Sequence, residues 1–123
     1  MLPIKPEIVV IDHMGLMQSK HRDLNLKMEE IAQALTEVAI RNNVVIFAIC
    51  EITKQAMVEG MSISSVRGSF RIAYNASKIL SLTARKNPDG DITHVIINTT
   101  ANRERGHLNA VLQLNNLQMI KTT

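Results

Sequence analysis

Apolar residues follow two different spacings in the first fifty residues, and each spacing predicts a different kind of element. Residues 7–12 and 44–50 are short, mostly β-branched apolar runs without polar alternation, which is typical of strands buried on both faces of a parallel sheet. Between them, apolar residues recur at intervals of four and three, which predicts an amphipathic helix ending near Asn42 and Asn43. The apolar positions of this helix are Leu24, Met28, Ile31, Leu35 and Val38. The order strand, helix, strand predicts a right-handed parallel crossover and hence an α/β fold.

The pattern changes after residue 55. Residues 55–70 contain two glycines, four serines and little periodicity, which is typical of a functional or disordered stretch, so we expect a mobile loop there. The elements predicted after it are a short helix at 69–77, strands at 78–84, 92–98, 108–114 and 117–120, and turns at 87–90, 103–106 and 115–116. We therefore predict one domain over residues 1–123, with a sheet that begins parallel and ends as an antiparallel meander.

Composition and charge narrow the class of protein. Hydrophobic residues make up 46% of the chain and charged residues 20%, as in soluble globular proteins. The longest apolar run is too short to cross a bilayer and no signal-peptide pattern follows Met1, so we expect a cytoplasmic protein without a membrane partner. The single Cys50 cannot form an internal disulfide. Residues 61–123 carry 8 Lys/Arg against 3 Asp/Glu, which indicates either a phosphate-binding region or a solvated face.

An acidic residue ends the first predicted strand. Asp12 would lie at the carboxyl edge of the sheet, where ligands bind in open α/β folds and where an aspartate can hold magnesium through water. An isolated aspartate at a strand end is more often a turn or cap residue. The phosphate cradle that would support the first interpretation, G-x-x-x-x-G-K-[ST], does not occur in the 123 residues. The histidines at positions 13, 21, 94 and 107 lack metal-ligand spacing, so no zinc site is expected.

Taken in order, these elements resemble the carboxyl-terminal half of the RecA-like (P-loop NTPase) core of DnaB-type replicative DNA helicases. The resemblance runs through nearly the whole chain. It rests on four segments: residues 8–17, similar to the family's Walker B strand; residues 45–54, similar to its sensor strand; Arg67-Gly68-Ser69 with residues 75–80; and Ala101-Asn102-Arg103-Glu104-Arg105-Gly106, similar to its K-N-R-x-x-G hairpin. The implied fold is a partial RecA-like core that lacks the Walker A portion.

The resemblance implies roles for individual residues around ATP and Mg²⁺, which are the cofactors of the complete protein and which we do not expect this chain alone to bind. Asp12 would hold magnesium. Glu51 stands where the family has a glutamine that senses the γ-phosphate, and a carboxylate there repels phosphate unless it is protonated or paired. Ala101 stands where the family has a lysine, which leaves Arg103, with Arg105 second, as the arginine finger toward the next subunit.

The resemblance also implies partners. Lys54, Arg67 and Arg71, with the loop at 56–68, would contact single-stranded DNA inside a ring hexamer. In such cores the phosphate-loop strand lies between the strands that correspond to 44–50 and 78–84. Without that strand the two must pair with each other or with another chain, so we expect a self-associating fragment that does not hydrolyse ATP alone.

Two other functions remain open. One is a non-catalytic RecA-like module that binds and assembles with a partner ATPase, and the other is a signalling ATPase of the same superfamily, such as a clock or recombination protein.

Overall fold

The structure is a computed structural model that describes residues 4–52, 70–103, 106, 108–115 and 118–122. Lys54, Arg67, Arg105 and the predicted DNA loop at 56–68 lie outside the described residues. The chain forms two compact units, residues 1–76 and residues 77–123. Each unit is described by itself below.

The first unit is a small α/β arrangement. Its elements are β1 (Ile8–Ile11), a 3-10 turn (Met14–Leu16), helix α1 (Leu24–Asn42), β2 (Val45–Ala48) and a short helix α2 (Phe70–Asn75). Strands β1 and β2 pair in parallel, from Ile8 opposite Val45 to Ile11 opposite Ala48. The predicted succession of strand, helix and parallel strand is therefore confirmed.

Both ends of α1 are fixed by residues whose chemistry suits a helix terminus. The Asp23 carboxylate accepts a hydrogen bond from the Leu26 amide at 3.0 Å, which satisfies one of the free donors of the first turn. At the other end, Asn43 adopts a left-handed conformation with φ of 51°, a conformation that asparagine tolerates well. Its amide donates to the Ala39 and Ile40 carbonyls, so the helix stops where the sequence predicted.

The core of the first unit is formed by residues of α1, α2 and the 3-10 turn. It comprises the buried side chains of Met14, Met28, Ile31, Ala32 and Ile72, with Met17, Leu35 and Cys50 packed against them. Met28 and Ile31 belong to the predicted apolar stripe, whereas Leu24 and Val38 at its ends are just under half exposed. The Thr36 hydroxyl donates to the Ala32 carbonyl of its own helix at 2.9 Å and also lies 3.4 Å from the Asn75 carbonyl at the end of α2.

The two parallel strands are less buried than their sequences predicted. Val9, Ile11 and Ile46 are partly buried, but the alternate residues on both strands are exposed. The most exposed large side chains of the pair are Ile8, Val10, Val45 and Phe47, each more than half accessible. Because successive residues of a strand point to opposite faces, only one face of this pair is covered within the described residues.

The second unit is an antiparallel meander. Strands β3 (Lys78–Lys86), β4 (Ile92–Asn102), β5 (Asn109–Asn115) and β6 (Gln118–Thr122) follow one another in the order β3-β4-β5-β6. The first turn contains Gly90 at φ of 91°, and the Asn87 side chain accepts a hydrogen bond from the Asp91 amide at 2.8 Å. The predicted meander is confirmed.

The arrangement of sheets differs from the prediction. We expected a single sheet, but β1 and β2 form a two-stranded parallel sheet, and β3 to β6 form a separate four-stranded antiparallel one. The strand at 78–86 pairs along its length with β4, and β2 pairs with β1. Edge pairing with another chain stays a prediction.

Among the described residues, no helix combines the length and the apolar character that a membrane span requires.

Candidate functional site

The candidate site lies where β1 and β2 end. The pairing of the two strands continues past their last residues, because the Ile49 amide donates to the Ile11 carbonyl and the Met14 amide donates to the Ile49 carbonyl, both at 3.0 Å. Parallel strands end at the same edge of a sheet. Asp12, directly after β1, and Glu51, three residues after β2, therefore lie at one edge, as predicted from the sequence.

His13 connects the two strand ends at this edge. Its ring nitrogen Nδ1 accepts a hydrogen bond from the Gly15 amide at 3.2 Å, which makes His13 the N-terminal cap of the 3-10 turn. Its other nitrogen, Nε2, lies 3.8 Å from Glu51 Oε1. The His13 side chain is 28% exposed and that of Glu51 54% exposed, so the contact is open to water.

The hydrogen bond from Gly15 decides where the proton of a neutral His13 ring sits. A neutral imidazole has one donor and one acceptor nitrogen, and an acceptor cannot carry the proton. Because Nδ1 accepts from the Gly15 amide, the proton belongs on Nε2, the atom that faces Glu51. The 3.8 Å separation is longer than a direct hydrogen bond, so the contact between Nε2 and Glu51 is a longer electrostatic one.

The segment that carries His13 is held in place by contacts with the end of β2 and with α1. Met14 is buried, and its sulfur lies 3.1 Å from Cys50 Sγ at the end of the neighbouring strand. Burial raises the pKa of the Cys50 thiol, so at neutral pH the sulfur keeps its proton and can donate it to Met14. From α1, Lys27 Nζ donates to the Gly15 carbonyl at 2.9 Å. These contacts fix the two residues that directly follow His13.

A second cluster of charges lies along α1. Ser19 donates from its hydroxyl to Glu30, and Lys20 Nζ lies 3.7 Å from the same carboxylate. The hydrogen bond from Ser19, followed by the positive charges of Lys20 and His21, lowers the pKa of the Glu30 carboxyl. This cluster borders an open groove between α1 and α2 that Arg71 also lines.

The predicted basic residues are distributed over the two units. Arg71 lies on α2 with its guanidinium largely exposed and in an ion pair with Glu29 of α1. Arg103 belongs to the second unit and directly follows β4. Its backbone amide donates a hydrogen bond to the Ser77 carbonyl at 3.0 Å, and the residue is exposed. Asp12, Glu51 and Arg71 thus all belong to the first unit.

Magnesium suits the donors of this edge. Mg²⁺ is usually held by one or two carboxylates, keeps several waters and completes its shell with substrate phosphates. The exposed Asp12 carboxylate at the strand end provides such a ligand. Within the described part of the chain no group of three or more His, Cys, Asp or Glu could hold a metal on its own. A phosphate cradle does not fit, because the required glycine and lysine spacing is absent from the 123 residues.

Comparison with known proteins gives a match in structure rather than in sequence. No family model and no curated protein matches the chain. A solved structure, described as that of a DnaB-like replicative helicase and its interactions with primase, superposes on 89% of this chain with a TM-score of 0.74 at 19% sequence identity. The chain has the fold of part of a DnaB-like replicative helicase. It spans 29% of the length of that helicase chain.

His13 is the residue of this edge that the sequence analysis missed. It was considered only as a zinc ligand and set aside on spacing. A usable signal was present, because a histidine that follows a strand-end aspartate directly must lie at the same edge as that aspartate. Its contact with Glu51 depends on the parallel register of β1 and β2, which cannot be deduced from the sequence alone.

Proposed function

We propose that this chain is the carboxyl-terminal half of a RecA-like ATPase core from a DnaB-type DNA helicase. The observation that carries the proposal is the parallel pair of strands that ends in Asp12 and Glu51 at one edge, within a fold shared with part of a DnaB-like helicase. In this function Asp12 binds Mg²⁺ through water, and the complete protein supplies the phosphate loop for ATP. The 123 residues alone do not hydrolyse ATP.

The basic residues take the remaining roles in the proposal. Arg103, with Arg105 as second choice, reaches toward the nucleotide of a neighbouring subunit in a ring. Lys54, Arg67 and Arg71 bind the phosphates of single-stranded DNA. Arg71 supports this role, because its side chain is 67% exposed and Glu29, with which it forms an ion pair, is a carboxylate that a phosphate can replace.

Salt-dependent DNA binding tests the proposal. A labelled oligo-dT is titrated with the chain by fluorescence anisotropy at 50 mM and 200 mM salt. Three phosphate contacts predict that affinity falls by about 18-fold across this range, because counterions are released on binding. Affinity that does not change with salt would remove the DNA assignment.

A matched pair of arginine variants locates the interaction. Arg71→Ala should weaken binding to the oligonucleotide and flatten its salt dependence, because one phosphate contact is lost. Arg41→Ala, in the last turn of α1, should leave both unchanged, since this residue has no role in the proposal. Equal effects of the two substitutions would indicate attraction by overall charge alone.

The absence of a phosphate cradle from the 123 residues favours a second candidate, a non-catalytic module that assembles with a partner ATPase. Calorimetric titration with magnesium-ATP distinguishes the two. The helicase proposal predicts binding once the phosphate-loop half of a DnaB-type core is supplied, whereas the module predicts none with or without it.

A further inference from the structure

We infer that the outward face of α1, on the side of the helix opposite the core, is a docking surface for a basic amphipathic helix of a partner protein. The residues of α1 that form this outward face are Leu26, Glu30, Gln33, Glu37 and Ile40. The inference goes beyond the proposed function and does not depend on it, because none of these residues has a role there.

The residues of the outward face repeat every seven positions. Leu26, Gln33 and Ile40 follow one another at that interval, and Glu30 and Glu37 form a second row at the same interval. Seven residues make nearly two turns of an α-helix, so each row runs along one side of α1. A row of apolar positions beside a row of charged ones is the arrangement by which one helix packs lengthwise along another.

The apolar residues of the outward face are exposed, although α1 buries its opposite side. Leu26 is 50% exposed and Ile40 77% exposed, whereas Met28 and Ile31 on the core side are 4% and 3% exposed. Residues 26 and 40 are separated by about 21 Å along the helix axis, at 1.5 Å per residue. An occupant that covers both has to extend about as far, which suits a helix lying along α1 better than a small molecule.

A groove runs along part of the outward face. Its floor is α1, and it is bordered by Lys20 from the segment before α1 and by Arg71 from α2. Ion pairs connect both borders to the helix, because Lys20 Nζ lies 3.7 Å from the Glu30 carboxylate and Arg71 pairs with Glu29. The groove is therefore formed by contacts within the first unit itself.

Charge decides which helix fits the groove. Glu37 accepts a hydrogen bond from the Gln33 side chain at 3.2 Å, and it has no ion pair with another residue in the described part of the chain. A lysine or arginine of the occupant would supply the missing cation. A second copy of the outward face cannot do so, because neither of its rows contains a lysine or an arginine. The occupant is therefore a helix that combines apolar residues with basic ones.

Binding of synthetic helices tests the inference. Two labelled peptides of three heptads each, with leucines along one side and either lysine or glutamate in the flanking positions, are titrated with the full chain by fluorescence anisotropy. The lysine peptide should bind at least about tenfold more tightly, because it alone can pair with the carboxylate row. Equal binding of the two peptides, or no binding of the lysine peptide, would overturn the inference.

Substitutions in the chain locate the contact. Leu26→Ala combined with Ile40→Ala should weaken binding of the lysine peptide by about tenfold or more, because two apolar contacts are lost. Glu37→Gln should weaken it about threefold, as expected for one surface ion pair. Leu16→Ala and Glu7→Gln remove an exposed leucine and an exposed carboxylate elsewhere in the first unit, and they should leave binding unchanged.

All of these side chains are exposed, so each variant should keep the circular dichroism spectrum of the wild type. If the two control substitutions weaken binding as much as those on α1, the peptide binds elsewhere and the inference fails.

Discussion

The two units of the chain are stabilised in different ways. In residues 1–76, five apolar side chains from α1, α2 and the 3-10 turn are buried in a common core. In residues 77–123, the one described side chain that reaches a comparable degree of burial is the polar Ser81, whose hydroxyl lies 3.4 Å from the Asn98 carbonyl. The second unit relies on the backbone hydrogen bonds and cross-strand pairs of its meander. Apolar packing dominates the first unit and strand pairing the second.

The largest effect should come from the core of the first unit. Ile31→Ala removes a side chain that is 3% exposed, and the lost burial together with the cavity should cost about 2–5 kcal/mol. Ile40→Ala removes the same atoms from a position on the same helix that is 77% exposed, and it should stay within about 0.5 kcal/mol of wild type. Urea unfolding monitored by circular dichroism measures both. Similar losses would mean that α1 is not held by this core.

A smaller effect is expected at the site edge. Gly15→Ala forces the His13 ring to move and should destabilise the chain by about 1–3 kcal/mol, as other overpacking substitutions do. The double variant Gly15→Ala with His13→Ala should recover most of that loss, because the ring that obstructs the methyl group is gone. Urea unfolding of the two variants and of His13→Ala gives the coupling. Additive losses would contradict a contact between residues 13 and 15.

In the first turn of the second unit, we expect substitution of Gly90 to reduce stability through the backbone conformation alone. Gly90 has φ of 91° and no atom within 4 Å of the position of an added Cβ, so Gly90→Ala meets only the cost of its conformation. That cost should be about 1–2 kcal/mol. Gly90→Asn should lose less, since asparagine accepts positive φ more readily. Thermal unfolding compares the two variants. An asparagine variant no more stable than the alanine variant would show that the turn changes shape on substitution.

The smallest expected effect is on the pH dependence of stability, and it comes from Glu30 in the first unit. The Ser19 hydrogen bond lowers the pKa of Glu30 in the folded chain, so this group stabilises the fold above the pKa of the unfolded chain. The stabilisation is lost as the pH falls through the lowered folded value. Between neutral pH and about pH 3, wild type should therefore lose slightly more stability than Glu30→Gln. Urea unfolding at both pH values measures the difference. Ser19→Ala should likewise reduce the loss of stability between the two pH values. If Ser19→Ala leaves that loss unchanged, the Ser19 hydrogen bond does not lower the pKa of Glu30.

The helix and the meander were predictable because their information is local. Helix α1 shows a repeating apolar stripe and ends at Asn43, a residue that adopts the left-handed conformation at low cost. The turn at residues 87–90 carries asparagine, proline and glycine, each of which favours a turn for its own reason. The position of Asp12 at a strand end was likewise visible, because it depends only on where an apolar run stops.

Burial and pairing between distant segments were less predictable. The apolar run at 44–50 indicated a strand covered on both faces, yet Val45, Phe47 and Ile49 are about half exposed, because a sequence does not state which layers are present to cover it. The separation of the strands into two sheets was missed for the same reason. His13 was missed because its partner, Glu51, lies 38 positions further along the chain.

The sequence by itself determined the order and type of the elements, since periodicity, caps and turn residues act over a few neighbours. It also determined that no phosphate cradle is present in these 123 residues. The tertiary structure alone decided that His13 faces Glu51. This contact depends on the register between two parallel strands, and that register is set by the packing of the whole unit rather than by either strand.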